Sequence, residues 1–236
     1  MSKHILITGA SSGVGRALAI KLSSQDSSLN FNLSLCGRNS TKLAQTLADI
    51  SNRSRIFSES FCLSNKDKIN DFVLAAESKF GDVDILINCA GLNSSRTPAG
   101  EPDWQQLEWM MKINFFAPLR FVELVLPKML TKKKGVLLNV LSTTCLFSNP
   151  GTAQYSAGKS ALDTYIKVLR KELHGTGVKV LSLYPGGIDT DFRDQTRPEY
   201  LSSIDVADGI YNMIFTHSNV QIHEMVIRPE NESNFC

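Results

Sequence analysis

In the stretch Tyr155-Ser156-Ala157-Gly158-Lys159, a tyrosine and a lysine stand four residues apart. On a helix that spacing puts them on one face, one turn from each other. A phenol ordinarily gives up its proton only near pH 10. An ammonium beside it favours the phenolate and lowers that value. The pair can then exchange a proton with a bound molecule near neutral pH. The spacing alone is common, and an aromatic beside a solvated lysine on a helix surface would look the same. Its weight comes from the other groups that the chain sets around it.

The first of these is Thr8-Gly9-Ala10-Ser11-Ser12-Gly13-Val14-Gly15, directly after the apolar run His4-Ile5-Leu6-Ile7. Glycines let a backbone approach a pyrophosphate closely, and the helix N-terminus next to them attracts its charge. The backbone of Gly9, Ser11, Ser12, Gly13, Val14 and Gly15 is thus a candidate dinucleotide cradle, with a plain flexible turn as the alternative. The spacing is Gly-x-x-x-Gly-x-Gly. Gly9 to Gly13 also matches the Gly-x-Ser-x-Gly elbow of hydrolases, but that elbow does not follow a first strand. Gly158-Lys159-Ser160 resembles the end of a phosphate loop, yet Ala153 stands where the earlier glycine belongs.

Arg38 ends the second apolar run, where an acid would hold a ribose 2′-hydroxyl; an arginine instead offers charge to a 2′-phosphate. This favours NADP, with NADPH preferred over NADH, against a solvated arginine at a helix start. Asn88-Cys89-Ala90-Gly91 and Pro185-Gly186-Gly187-Ile188-Asp189-Thr190 come after two further strands and offer backbone to a ligand. Ser142, thirteen residues before Tyr155, can donate to a substrate oxygen from a strand end. Asn114 is an amide among Ile113, Phe115 and Phe116, and a buried amide needs partners.

These residues require elements to hold them. Apolar runs at residues 4–7, 31–36, 55–63, 83–87, 136–140, 179–183 and 224–227 read as strands. Between them helical spacing recurs at 14–22, 41–50, 69–80, 104–130, 153–174 and 204–215. Ser64-x-x-Asp67 has the form of a capping box, and the long helix is expected to bend near Pro118. Near-continuous apolar strands alternating with helices predict a doubly wound parallel α/β sheet, a three-layer Rossmann-type single domain over 1–236. Ligands bind such sheets beyond the carboxyl ends of the strands, which is where the candidates lie.

Composition bounds the function. Net charge is +2 with acids and bases mixed, and Lys132-Lys133-Lys134 is the one basic run, so no nucleic-acid partner is expected. No apolar stretch reaches membrane-spanning length, and the five cysteines form no Cys-x-x-Cys pair, so a cytoplasmic protein without a membrane partner is expected. The four histidines show no metal spacing.

From Lys3 to about Phe215 the order and spacing of these motifs resemble the short-chain dehydrogenase/reductase family. The resemblance implies an oxidoreductase acting on a carbonyl/alcohol pair of a small molecule. It makes Tyr155 the proton donor or acceptor, Lys159 the ribose ligand that lowers the Tyr155 pKa, Ser142 the group that orients the carbonyl, and Asn114 the residue that positions Lys159 through water. It places Asn88 near the adenine ribose and Thr190 at the nicotinamide carboxamide, and implies a homodimer or homotetramer through the helices at 104–130 and 153–174. Leu119, Val122, Leu126 and Met129 are candidate contacts there, or else core.

Departures from the family pattern are Cys62, where an acid is usual, Cys89, where a second asparagine is usual, and the tail Met225-Val226-Ile227-Arg228-Pro229, which replaces a glycine-rich ending and resembles that of subgroups acting on hydroxy acids and small alcohols. The short charged segment with Asp191, Arg193, Asp194 and Arg197 implies a small or open lid. An NADPH-binding regulatory sensor on the same fold is the competing function class; it would not need Ser142, Tyr155, Lys159 and Asn114 together.

Overall fold

The computed structural model describes residues 2–24, 31–50, 55–190, 197–217 and 219–232. The strands are β1 (Lys3–Thr8), β2 (Phe31–Gly37), β3 (Arg55–Ser60), β4 (Ile85–Asn88), β5 (Gly135–Val140), β6 (Val178–Pro185) and β7 (Glu224–Ile227). The helices are α1 (Gly13–Ser23), α2 (Ser40–Asp49), α3 (Lys66–Phe80), α4 (Trp104–Met111), α5 (Ala117–Lys132), α6 (Ala153–Glu172) and α7 (Ser203–Ile214). The strands form one parallel sheet in the order β3-β2-β1-β4-β5-β6-β7.

The chain winds outward from β1 to β3, then returns to place β4 on the other side of β1. That reversal opens a crevice beyond the carboxyl ends of β1 and β4. Alternation within each strand sends side chains to two separate cores. Ile5 and Ile7 join α1, α2 and α7 on one face, while Leu6 joins α3, α5 and α6 on the other. Helices on both faces explain why the central strands carry almost no polar side chain, and the architecture is the predicted single-domain Rossmann-type sandwich.

One local expectation is corrected, and two others are located more closely. The cap of α3 is Asn65, whose Oδ1 accepts from the Asp67 and Lys68 amides, while Ser64 lies 3.3 Å from the Cys62 thiol instead. An asparagine one residue nearer the helix is simply the better-placed acceptor. A capping box does occur, between Ser202 and Asp205 at the start of α7. The long helix is interrupted by a π-turn at Lys112–Phe116, one residue ahead of the segment that contains Pro118. Pro118 sits in the first turn of α5, where its missing N–H is harmless. Val122 and Met129 are buried in the core, with Leu119 and Leu126 packed against it, so this row faces the sheet. Asp191, Arg193 and Asp194 lie outside the described residues.

At the opposite end of the sheet from the crevice, His4 is buried between β1 and the α3–β4 turn. Its Nδ1 donates to the Gly81 carbonyl at 2.7 Å, so Nε2, 2.8 Å from Ser34 Oγ, accepts the hydroxyl proton in the neutral ring. Burial lowers its pKa below the usual 6.5, against smaller upward pulls from the Gly81 carbonyl and from Asp84, Glu77 and Asp82. A lowered folded pKa gives stability that is full above the unfolded value and lost as pH falls through the folded one. The urea midpoint of the wild-type protein should therefore decline between about pH 7 and pH 5 more steeply than that of His4→Gln; parallel curves for the two proteins would refute this role.

Candidate active site

The loop after β1 is built on close backbone approach. Gly9 has φ 73°, and a Cβ there would stand 2.9 Å from the Ala90 backbone. A Cβ on Gly15 would stand 2.5 Å from the Gly9 carbonyl. Gly37 is pressed against Ser11, whose Cβ would lie 2.7 Å from an added methyl. Thr8 Oγ1 accepts from the Ala90 amide at 3.1 Å, which ties the ends of β1 and β4 together. Ser12 caps α1 in position only: its side chain accepts no bond from the first turn. The amides of Gly13, Val14 and Gly15 therefore open onto the crevice, beside the positive end of a helix dipole.

The crevice is a cavity of about 890 Å³. It is lined by Gly9, Ser11, Ser12, Gly13, Val14, Gly15, Arg38, Ala90, Gly91, Ser142, Tyr155, Lys159, Pro185, Gly186, Ile188 and Thr190, all expected from sequence. Arg38 is exposed at one end, beside Asn39 and Lys42 at the start of α2. Cys62 also lines that end. Thr190 approaches the glycine loop from the far side, its Cγ2 3.5 Å from where a Gly13 Cβ would be.

Two of the expected residues lie outside this lining. Asn88 is directed into the sheet: its Nδ2 donates to Asn139 Oδ1 at 3.0 Å and reaches the Pro118 carbonyl at 3.5 Å. The expectation that its side chain lies near an adenine ribose is thus corrected. The cause is pleat parity, since Asn88 is paired in register with Thr8 and Asn139 and shares their sheet position. Asn114 stands just behind the lining. Fully buried in the π-turn, it clamps Leu92 on both sides, accepting from its amide at 2.9 Å and donating to its carbonyl at 2.8 Å.

Gly91 lies between Asn114 and Lys159. A Cβ on Gly91 would be 3.2 Å from Lys159 Nζ and 3.4 Å from Asn114 Oδ1. Gly158 lets α6 lie close to the π-turn, since a Cβ there would be 3.3 Å from that of Asn114. Lys159 is 4% exposed, and its Nζ donates to the Val140 carbonyl at 2.8 Å. Burial pulls its ammonium down to about 8. The Cys89 thiol is itself raised by burial, so it stays neutral beside the lysine. An ammonium has three donors; Val140 takes one, leaving two for groups in the cleft.

Ser142 begins a 3-10 turn at Thr143–Cys145, where its Oγ accepts from the Thr144 amide at 3.2 Å. Its own proton is left to donate. Tyr155, in the first turn of α6, lines the cleft one turn before Lys159. The helix is anchored behind them. Tyr184 on β6 donates to Asp163 Oδ1 at 2.7 Å, and Lys167 holds the other oxygen at 2.8 Å. Sequence reasoning missed Asn231 and Glu232, which also line the cleft. Nothing local marks them, because a tail reaches the cleft only through the finished sheet.

A crevice at a sheet's reversal point is where such folds take a ligand, and here a tyrosine, a lysine and a serine line it. The family model described as short chain dehydrogenase matches residues 3–201, and the chain belongs to that family of oxidoreductases. An uncharacterized oxidoreductase of Staphylococcus epidermidis is 32% identical over 232 residues, covering 96% of this chain and 97% of its own. The closed form of a serine dehydrogenase complexed with NADP+ matches at a TM-score of 0.87 and 23% identity, over 98% of this chain and 96% of its own. A metagenomic short-chain oxidoreductase in complex with NADP matches at a TM-score of 0.84 and 25% identity, over 97% and 98%.

The glycine geometry yields a test. Gly15→Ala forces a methyl against the Gly9 carbonyl and should lower folding stability by about 1–3 kcal/mol. Gly100→Ala meets nothing within 4 Å and should be nearly neutral. Urea denaturation of both variants measures the difference; equal midpoints would contradict the close approach.

Proposed function

We propose that this protein is an NADP-dependent oxidoreductase acting on the carbonyl or alcohol group of a small molecule, with Tyr155 as general acid–base. The observation that carries this reading is the buried Lys159 ammonium on the cleft floor, with donors to spare, one helical turn from Tyr155.

The cleft fits a dinucleotide by its own chemistry. Open α1 amides and glycines that a Cβ would fill suit a pyrophosphate. Arg38 suits a 2′-phosphate, and the neighbouring Lys42 adds a second positive charge at that end. Lys159 would hold ribose hydroxyls, and Pro185, Gly186, Ile188 and Thr190 would meet the nicotinamide end. When bound, the cofactor supplies or takes the hydride. Tyr155 gives its proton to the substrate oxygen in reduction and receives it in oxidation. Lys159 favours the phenolate. Ser142 donates to the same substrate oxygen and holds the carbonyl in line. Asn114 fixes the Leu92 backbone and, with it, the Gly91 wall beside Lys159. NADP-bound structures among the relatives support the cofactor assignment. The joint presence of Ser142, Tyr155, Lys159 and Asn114 speaks against a sensor without turnover.

Self-association is part of this reading. Phe116, at the end of the π-turn, and Tyr165 and Val168, on the outer side of α6, are each at least half exposed, and Tyr165 and Val168 border a shallow groove lined by Ala157 and Ala161. A two-fold pairing of α5 and α6 would cover them.

Tyr155→Phe should leave cofactor affinity nearly unchanged and lower carbonyl reduction, followed as loss of NADPH absorbance, by about two orders of magnitude or more; full activity in that variant would end this reading. Lys159→Ala should weaken cofactor binding and move the pH profile upward. Fluorescence titration should show NADPH bound at least about tenfold tighter than NADH, about 1.4 kcal/mol, with equal affinities refuting the role of Arg38. Sedimentation at micromolar concentration should show an oligomer, and a monomer alone would count against the paired helices.

A further inference from the structure

Beyond β7, residues 228–232 fold back onto the cleft. Beyond Ile227, the end of β7, Arg228 turns inward and Glu232 reaches the turn after β6. The two oxygens of Glu232 accept from the Gly187 amide at 3.2 and 3.3 Å. The same carboxylate lies 3.5 Å from Arg228 Nε, with side chains only 16% and 13% exposed. The Arg228 guanidinium stands 5.3 Å over the Phe147 ring, in the segment just past the Ser142 turn. Glu232 also fills the space that a side chain at 186 would take, since a Cβ on Gly186 would overlap Glu232 Oε2.

A backbone amide, a guanidinium and a glycine without a Cβ to block the approach are the means by which a protein receives a carboxylate. Here the carboxylate is supplied by the chain itself. Tethering gives it a high effective concentration over any dissolved competitor. Resting on the reading of this cleft as a carbonyl-substrate site, we propose that Glu232 is a specificity-determining residue, one that occupies a carboxylate subsite formed by Gly187 and Arg228 and so restricts the protein to uncharged carbonyl substrates. A carboxylate-bearing ligand is refused twice. Its natural partners are engaged, and a second anion beside Glu232 in a partly desolvated cleft is repelled.

The test uses binding, so it stands apart from turnover. Benzoate and benzamide, alike in size and different in charge, are titrated by calorimetry into the full-length wild type, Glu232→Gln and Glu232→Ala. Glu232→Ala should bind benzoate at least about tenfold more tightly than the wild type does, and Glu232→Gln at least about threefold. Benzamide affinity should stay within about twofold throughout, and adding Arg228→Met to Glu232→Ala should abolish the benzoate gain. Unchanged benzoate affinity, or a gain that survives Arg228→Met, overturns the proposal. If Glu232→Ala fails to fold, the near-isosteric Glu232→Gln decides it by the same measure. A gain in benzoate binding in a protein that reduces no carbonyl would sink the oxidoreductase reading alone; an active enzyme without that gain would sink this inference alone.

Discussion

Burying the Lys159 ammonium is the constraint around which the catalytic half of the molecule is arranged. A charged amine taken out of water is costly unless it finds a partner. The Val140 carbonyl, at the end of β5, provides one at 2.8 Å. Reaching it requires α6 to lie low over the sheet, and Gly91 and Gly158 are the positions where a Cβ would crowd that approach. The incomplete solvation that remains pulls the group down to about 8. The same deficit leaves two donors for a ligand that brings hydroxyls of its own.

Holding α6 at that depth falls to a polar seam on its far side. Asp163, Lys167 and Tyr184 share one network, and Arg170 adds bonds to the Val180 carbonyl, Ser182 and Glu224. These bonds join α6 to β6 and β7, the strands whose ends carry the Pro185–Thr190 turn and the tail. The catalytic helix and the loops across the cleft from it are therefore held to a common frame. Asn88 and Asn139 do similar work one layer in, where two buried amides pair across β4 and β5. A polar pair in a sheet core favours one register over its neighbours, because a slip would strand both groups.

Much of this is legible in the chain because it is local. Strand runs, helix spacing and the glycine loop are each set by a few neighbouring residues, and the sheet results from their alternation. Fifteen of the sixteen residues expected to hold the cofactor line the crevice, and so do Ser142, Tyr155 and Lys159 of the four expected to be catalytic. The rest depends on geometry that sequence does not carry. The parity that turns Asn88 away is set by register with β1 and β5. The choice of Asn65 over Ser64 as a cap turns on one residue of phase. Arg228 and Glu232 meet the Gly187 turn only after β7 has joined the sheet edge, so no pattern within the tail announces them. The exposed pair Tyr165 and Val168 lies on the outer side of a helix whose inner side is easy to recognise, while the row from Leu119 to Met129 faces the core.

The π-turn at Lys112–Phe116 sets a rule about length. A π-turn holds one residue more than the α-turn it replaces. Asn114 sits inside it and aims both of its polar atoms at Leu92. Removing a residue beside Asn114 would let the segment close to a regular α-turn that keeps α4 and α5 in phase but re-aims the side chains between them. Asn114 would then leave Leu92, and the Gly91 wall beside Lys159 would lose its support. This short segment can therefore vary in composition far more readily than in residue count, and an insertion or deletion there would be read by the cleft as a loss of aim although every catalytic side chain were still present.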